Sequence, residues 1–286
     1  MTVLWIAVAV ALVVISIDLL FILPTQWLKV ERVTWTRHPN TKILQISDLH
    51  IERNRVTEKI LQVLAQEQPD YVFLTGDYLD SLKAMGKLSL FLKKMAFYRI
   101  PTYAVFGNHD YLLHDIIPLL ELMKEHGITV LRNESVSLPE FDLVGIDDFC
   151  TENSDIDAAF FEVQKQRTKQ QNRTDIHQSS VTVQEHVHQD PQSWRNRRCF
   201  VITHDPNIVL SIDYPYDVLI SGHLHGKQFN VPLLFALQPM GSLTAQGIYK
   251  GVHSTSYGRY YISKGAGQSG FNARLFVRSE ITLHFV

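Results

Sequence analysis

An α/β fold, with helices packed outside a largely parallel sheet, is predicted by three features of this sequence. Apolar runs of strand length recur at residues 43–47, 71–75 and 102–106. Amphipathic segments of helix length separate them at 57–68 and 82–98. The interval from one strand end to the next is roughly 30 residues, the length of a βαβ unit.

The first helix carries apolar positions Ile60, Leu61 and Leu64 on one face, and Pro69 marks its end. After the third strand the pattern continues as a helix, then strands at 128–131 and 143–146, and it resumes at 200–203 and 218–221. Beyond Tyr249 the Gly and Tyr content rises, and runs at 260–263, 275–277 and 281–286 read as antiparallel strands that close the fold. Residues 162–198 differ. They are rich in Gln, Arg, His, Ser and Thr without a clear period, and read as a solvated insertion or lid. His177, His186 and His188 fall within it and are expected to be solvated.

The N-terminus is almost continuously apolar over residues 3–23, with Asp18 its only charge. At about 1.5 Å per residue, a helix of that length crosses a bilayer. No basic residue precedes the run and no small-x-small cleavage site follows it, so it reads as an uncleaved anchor rather than a signal peptide. The expected organisation is an anchor at 1–24, a juxtamembrane linker at 25–41 and one domain at 42–286. Lys29, Arg32 and Arg37 follow the span, which by the positive-inside bias places that domain in the cytoplasm.

At 286 residues with 45% hydrophobic and 20% charged residues, the chain is long enough to bury a substantial core. A net charge of −2 gives no electrostatic case for nucleic acid as a partner. Cys150 and Cys199 are the only cysteines, which argues against a disulfide framework and leaves any chemistry to other residues.

Those other residues stand in five short patches, each just after a strand: Asp48-Leu49-His50, Gly76-Asp77, Gly107-Asn108-His109-Asp110, His204 and Gly222-His223-Leu224-His225. The carboxyl ends of the strands are where α/β sheets place their ligands. Asp48 and His50, two apart in an extended chain, point the same way and reach one metal. Asp77 taken alone reads as a helix cap, and Asn108 alone as a turn residue. Asn108 nevertheless offers a neutral carbonyl ligand, and His109 projects into the same cleft, with Asp110 placed to orient its ring. Each patch supplies oxygen or imidazole donors and no thiolate, a set that suits Mn²⁺, Fe or Zn²⁺ in a hydrolytic site. One patch means little; five in this order are hard to explain without a bound metal pair.

In these motifs the chain resembles the calcineurin-like metallophosphoesterase superfamily, with the signature D-x-H, G-D, G-N-H-[DE], H, G-H-x-H. It is most similar to a bacterial membrane-associated branch whose last motif continues as Gly-His-x-His-Gly-x-Gln, here Gly222 to Gln228. The likeness extends from Ile43 to the C-terminus and includes Gly145-Ile146-Asp147-Asp148 and the segment from Ser263-Lys264-Gly265 to Arg274. Lys227 stands where that branch usually has Gly, and the polar insertion is not part of the common pattern.

The resemblance implies a four-layer α/β/β/α sandwich behind an N-terminal transmembrane helix, anchored as a single pass in a bacterial inner membrane. It implies two divalent ions, with Mn favoured. Asp48, His50, Asp77 and His225 would hold the first, and Asp77, Asn108, His204 and His223 the second, Asp77 bridging. Activated water would attack phosphorus in line with the leaving group, and His109 would stabilise or protonate that group. Lys227 is a candidate contact for a substrate phosphate. The activity implied is hydrolysis of phosphodiester or pyrophosphate bonds at the membrane, with the pyrophosphate of UDP-2,3-diacylglucosamine in lipid A synthesis as one substrate known in the branch. The alternatives are a phosphodiesterase or phosphomonoesterase of other substrate, and a non-catalytic membrane scaffold that keeps the fold. An apolar run at 231–237 follows the last motif and suits a lipid substrate or membrane contact if exposed.

Overall fold

The computed structural model describes residues 2–178, 197–229 and 240–286. The twelve strands in it form two six-stranded sheets. The first has the order β1 (Lys29–Thr34), β12 (Glu280–Phe285), β2 (Lys42–Ile46), β3 (Tyr71–Thr75), β4 (Thr102–Val105) and β5 (Ile128–Val130). The second runs β10 (Gly251–Ser254), β11 (Arg259–Ile262), β9 (Val218–Ser221), β8 (Arg198–Ile202), β7 (Phe141–Gly145) and β6 (Glu134–Ser137). β2 to β5 are mutually parallel, as are β7, β8, β9 and β11.

Strand periodicity divides the core. Ile43, Tyr71, Phe73, Phe200, Ile202, Val218 and Ile220 meet between the two sheets. Their chain neighbours Leu44, Ile46, Val72 and Leu74 pack outward under the helices of the first sheet. Cys199, Val201 and Leu219 do the same under those of the second. Residues one apart on a strand face opposite sides, so fully buried strands read as continuous apolar runs. Helices α3 (Thr57–Glu67), α4 (Met85–Ala96) and α5 (Ile117–Glu125) cover the first sheet, α4 through Leu88, Phe91, Leu92 and Met95 at helical spacing. On the other side, α6 (Ile156–Gln178) covers the second sheet through Ala159, Phe160 and Val163. The result is a four-layer α/β/β/α sandwich.

The N-terminal helix comprises α1 (Thr2–Ile17), a π-helical turn (Asp18–Ile22) and α2 (Leu23–Gln26). It is long and apolar enough to cross a membrane, and its most apolar stretch is not buried against the domain. Its inner end is docked. Phe21 O accepts from the backbone N–H of Arg274 at 2.9 Å, Thr25 O from Ser279 Oγ at 3.2 Å, and Gln26 O from Lys59 Nζ at 2.6 Å.

Several expectations are corrected. The linker expected at 25–41 contains β1, whose edge position beside β12 is set by residues far along the chain. The closing strands are not all antiparallel: β11 runs parallel to β9, and β12 parallel to β1. No strand forms at 275–277; Phe276 has φ +58°, and Leu275 makes a single bridge to Phe229. Residues 162–178 are helical, not loop, because Gln, Lys, Arg and Glu are good helix formers even where no apolar stripe marks a period. The rest of the polar stretch up to residue 196, with His186 and His188, and the apolar run at 231–237 lie outside the described residues.

Phe141 and Phe200 stack between the sheets with ring centroids 4.4 Å apart. Phe200→Ala is expected to cost about 3–5 kcal/mol of stability. Denaturant unfolding should show a lower midpoint with an unchanged slope.

Candidate metal centre

All five motifs leave the carboxyl ends of parallel strands, β2, β3, β4, β8 and β9, so both sheets deliver them to one edge. The chain does not simply run on as strand there. Asp48, His50, Asp77, His223 and His225 all have left-handed backbones, with φ of +50°, +37°, +57°, +71° and +48°. Such conformations are uncommon for residues with a Cβ and cluster at functional sites. The expectation that Asp48 and His50 converge through strand alternation is therefore corrected: a left-handed turn aims them, and the same holds for His223 and His225.

The motif glycines make room for these carboxylates. A Cβ on Gly107 would lie 2.3 Å from Asp77 Oδ1, and one on Gly222 would lie 1.8 Å from Ser47 Oγ and 2.5 Å from Asp48 Oδ2.

Two groups of donor atoms result. In the first, His50 Nε2 lies 3.3 Å from His225 Nε2 and 3.5 Å from Asp77 Oδ2, and His225 Nε2 is 3.3 Å from Asp48 Oδ1. The donor atoms of Asp48, His50, Asp77 and His225 all lie within 4.8 Å of one another. In the second, His204 Nε2 is 3.2 Å from the same Asp77 Oδ2 and 3.3 Å from His223 Nδ1, which is 2.9 Å from Asn108 Oδ1. Asp77 Oδ2 is common to both groups.

The chemistry of these atoms calls for cations. His204 Nδ1 donates to Thr75 O at 2.8 Å, and His50 Nδ1 donates to Asp80 Oδ1 at 2.9 Å. With Nδ1 engaged in this way, Nε2 is the nitrogen that each ring turns toward the cluster, the atom through which an imidazole can bind a cation. Buried Asp48 Oδ2 and His225 Nδ1 have no hydrogen-bond partner among the described residues. Burial lowers the His225 pKa to about 3 and keeps that ring neutral. Burial by itself would lower the pKa of His204 as well, but the Asp77 carboxylate overrides it and raises it well above the usual value. Burial would raise the Asp77 pKa, yet the surrounding imidazoles hold it well below the ordinary carboxylate range. A divalent ion fits a buried site that concentrates carboxylate charge on imidazole lone pairs in this way.

His109 is half-buried, with Nε2 3.2 Å from Ser269 Oγ and Nδ1 2.9 Å from Asp80 Oδ1. Burial would lower its pKa, but the Asp80 hydrogen bond and the charges of Asp77 and Asp80 raise it. Asp110 was expected to orient this ring and does not. Its carboxylate accepts the backbone N–H groups of Asp77 (2.9 Å), Tyr78 (2.8 Å) and Gly107 (2.9 Å), and so fixes the turns that carry Asp77 and Asn108. Burial, with the nearby charge of Asp77, pushes its pKa up to about 7. Lys227 places Nζ 4.1 Å from the centroid of Tyr249.

Sequence reasoning missed Asp80. It bridges the Nδ1 atoms of His50 and His109 and pairs with Arg53. Its one signal was a second carboxylate in the loop that follows β3. Ser269 and Arg274 were also missed as individuals. Arg274 is fully buried and donates through Nη2 to Lys264 O (2.9 Å) and Gly265 O (3.0 Å), under Asp48, and through Nη1 to His225 O (3.5 Å).

A two-sheet sandwich with this Asp, Asn and His cluster at its strand ends defines a metal-dependent phosphoester hydrolase. The calcineurin-like phosphoesterase family model matches residues 41–227, and the chain belongs to that family, whose members hold two divalent metal ions. It is 35% identical over 252 residues to the uncharacterized metallophosphoesterase YkoQ of Bacillus subtilis, covering 85% of this chain and 82% of that protein. It is 28% identical over 254 residues to the phosphodiesterase YaeI of Escherichia coli, covering 85% and 80%. Among solved structures, a dimetal phosphatase from Danio rerio is similar with a TM-score of 0.45 and 14% identity, over 80% of this chain and 88% of that one.

Because Asp80 accepts from two site imidazoles, Asp80→Ala should free both rings while leaving the cluster's own donor atoms in place. Loss of such an orienting partner typically costs about 10–100-fold in metal affinity. Metal titration of the purified variant, with circular dichroism to confirm folding, should show a drop of that order.

Proposed function

We propose that this chain is a membrane-anchored, dimetal phosphodiester or pyrophosphate hydrolase acting on a substrate presented at the bilayer surface. A lipid-linked sugar nucleotide such as UDP-2,3-diacylglucosamine is the specific candidate, Mn²⁺ the favoured metal, and the cytoplasmic face of a bacterial inner membrane the location. One observation carries the membrane part of this reading. Ser269, which touches His109, also donates its backbone N–H to Gln228 Oε1 at 3.0 Å, and Gln228 Nε2 donates to Ser269 O and Phe271 O at 2.9 and 3.1 Å. The Phe229 ring then lies 6.3 Å from that of Phe271 and 6.5 Å from that of Phe21 in the N-terminal helix. The reacting edge of the sandwich and the inner end of the helix are thus parts of one packed unit.

In this reading Asp48, His50, Asp77 and His225 hold one metal ion, and Asp77, Asn108, His204 and His223 the other. Bound there, the pair supplies a water nucleophile active at neutral pH and charge compensation for phosphate oxygens. The chain supplies the rest. Asp77 shares Oδ2 between the two groups and accepts the His109 backbone N–H through Oδ1 at 2.9 Å. His109, its Nδ1 held by Asp80, presents Nε2 as the proton donor to the leaving oxygen. Lys227 is proposed to contact a substrate phosphate. A complete donor set disfavours a non-catalytic scaffold.

Assaying the Mn²⁺-loaded protein side by side on a phosphomonoester, a phosphodiester and a sugar-nucleotide pyrophosphate tests the activity. Asp77→Ala should lose most bound metal and nearly all turnover while remaining folded. His109→Ala should keep both metals and lose about 10²–10⁴-fold in kcat. Near-normal turnover by Asp77→Ala would sink the mechanism. Equal metal loss in both variants would show the role of His109 to be wrong.

The sidedness is tested separately. Protease added to intact cells should spare the domain, and protease added to inverted vesicles should digest it. Digestion from the periplasmic side would reverse the orientation.

A further inference from the structure

Where the N-terminal helix meets the domain, a cavity of about 380 Å³ opens that none of the proposed metal ligands lines. Leu19, Leu23 and Trp27 of the helix end and Phe276 of the C-terminal loop form its apolar walls. Lys29, Lys250, Lys264 and Arg278 bring four cations to it. Two carboxylates answer them: Glu31 pairs with Lys29 and lies 4.0 Å from Lys264 Nζ, and buried Glu280 pairs with Lys264. Arg278 lies over the Trp27 ring at 4.6 Å, and Lys250 over Tyr249 at 5.4 Å. Neither has a carboxylate partner among the described residues. Among the described residues, the cavity therefore carries uncompensated positive charge. Phe276 in its wall stands 73% exposed, and Phe271, which meets Phe21 of the helix by way of Phe229, 78%, two large aromatic groups that water does not favour.

Charge and apolar surface occur here in the order that a lipid presents them. The walls continue the face of the apolar helix through Leu19 and Leu23, at the depth where the hydrocarbon core gives way to headgroups. Trp27, Phe271 and Phe276 suit the aromatic belt of that boundary. A guanidinium and an ammonium held on aromatic faces offer a phosphate one fork of donors and one point charge. We propose that this cavity holds the headgroup of an anionic phospholipid drawn from the surrounding bilayer, at a site separate from the metal centre. The acyl chains run outward along Leu19 and Leu23. The bound lipid fixes the tilt of the domain on its anchor and thereby the height of the reacting edge above the membrane. This rests on the N-terminal helix being a membrane span.

The test uses the full chain. Flotation with phosphatidylcholine vesicles comes first: a chain that stays in the aqueous fraction overturns the span and the lipid site with it. The floating protein is then placed in nanodiscs of phosphatidylcholine and phosphatidylglycerol in equal amounts, released, and its retained lipids counted by native mass spectrometry. Phosphatidylglycerol should be retained in clear excess, on the order of tenfold, and a Lys250→Ala/Arg278→Ala double variant should lose that excess. Hydrolysis of a small soluble phosphodiester by this variant should be unchanged, since neither residue belongs to the metal centre. Equal retention of the two lipids by the parent protein, or undiminished selectivity in the double variant, overturns the site. Complete displacement of phosphatidylglycerol by millimolar inorganic phosphate would show a free-anion site instead, and would also overturn it.

Discussion

The Asp77 carboxylate is the point at which the two sheets are made to meet. One oxygen fastens the turn after β4 by accepting the His109 N–H, and the other faces His50 from the first sheet and His204 from the second. A carboxylate excluded from water must be compensated from every side, and here the compensation comes from the ends of three other strands, β2, β4 and β8. Displacing it would leave imidazole lone pairs facing one another and would uncouple the turns that Asp110 gathers beneath it. The strained backbone at Asp48, His50, Asp77, His223 and His225 persists because these contacts over-determine it.

A second polar arrangement keeps the sheets in register behind that edge. Trp35 Nε1 donates to His284 Nδ1, His284 Nε2 donates to Gln45 Oε1, and Gln45 Nε2 donates to Thr75 Oγ1 and to Ser221 O. Burial holds the His284 pKa down to about 3, so the chain of donors runs through a neutral imidazole with each ring nitrogen satisfied. Thr75 precedes Gly76-Asp77 and Ser221 precedes Gly222-His223, so a fully satisfied network inside an apolar layer sets where the two motifs emerge. Apolar side chains alone would tolerate sliding between the sheets; this network does not.

The strands and helices that carry the site were legible in the sequence because buried parallel strands announce themselves as apolar runs at βαβ spacing. The Asp, Asn and His residues that gather at this edge were legible because chemistry fixes their types. The contributions of β1, β6 and Asp80 were not. β1 is half-exposed and earns its place by pairing with β12, a partner far away in the chain. Asp80 is a single carboxylate in a loop, and only the convergence of two histidine rings gives it meaning. The left-handed turns were hidden for a related reason. Asp and His at those positions do not favour such φ values by themselves; the assembled edge imposes them. The Asp110 role was misread because adjacency in sequence to His109 says nothing of where a carboxylate points once the intervening turn closes.

The placement of β12 between β1 and β2 has a consequence for biogenesis. Trp35 and His284, 249 positions apart, hydrogen-bond inside the sandwich, and β12 separates two strands that the ribosome makes long before it. On the proposed membrane anchoring, the apolar helix would reach a translocon first, and the nascent domain would wait beside the bilayer with β1 and β2 lacking the strand that joins them. Closing so distant a pairing is slow, and an open strand edge next to a lipid surface is prone to mispairing. Such tethering would confine that wait to a two-dimensional surface, where the density of neighbouring chains, rather than their bulk concentration, would decide how many complete the sheet.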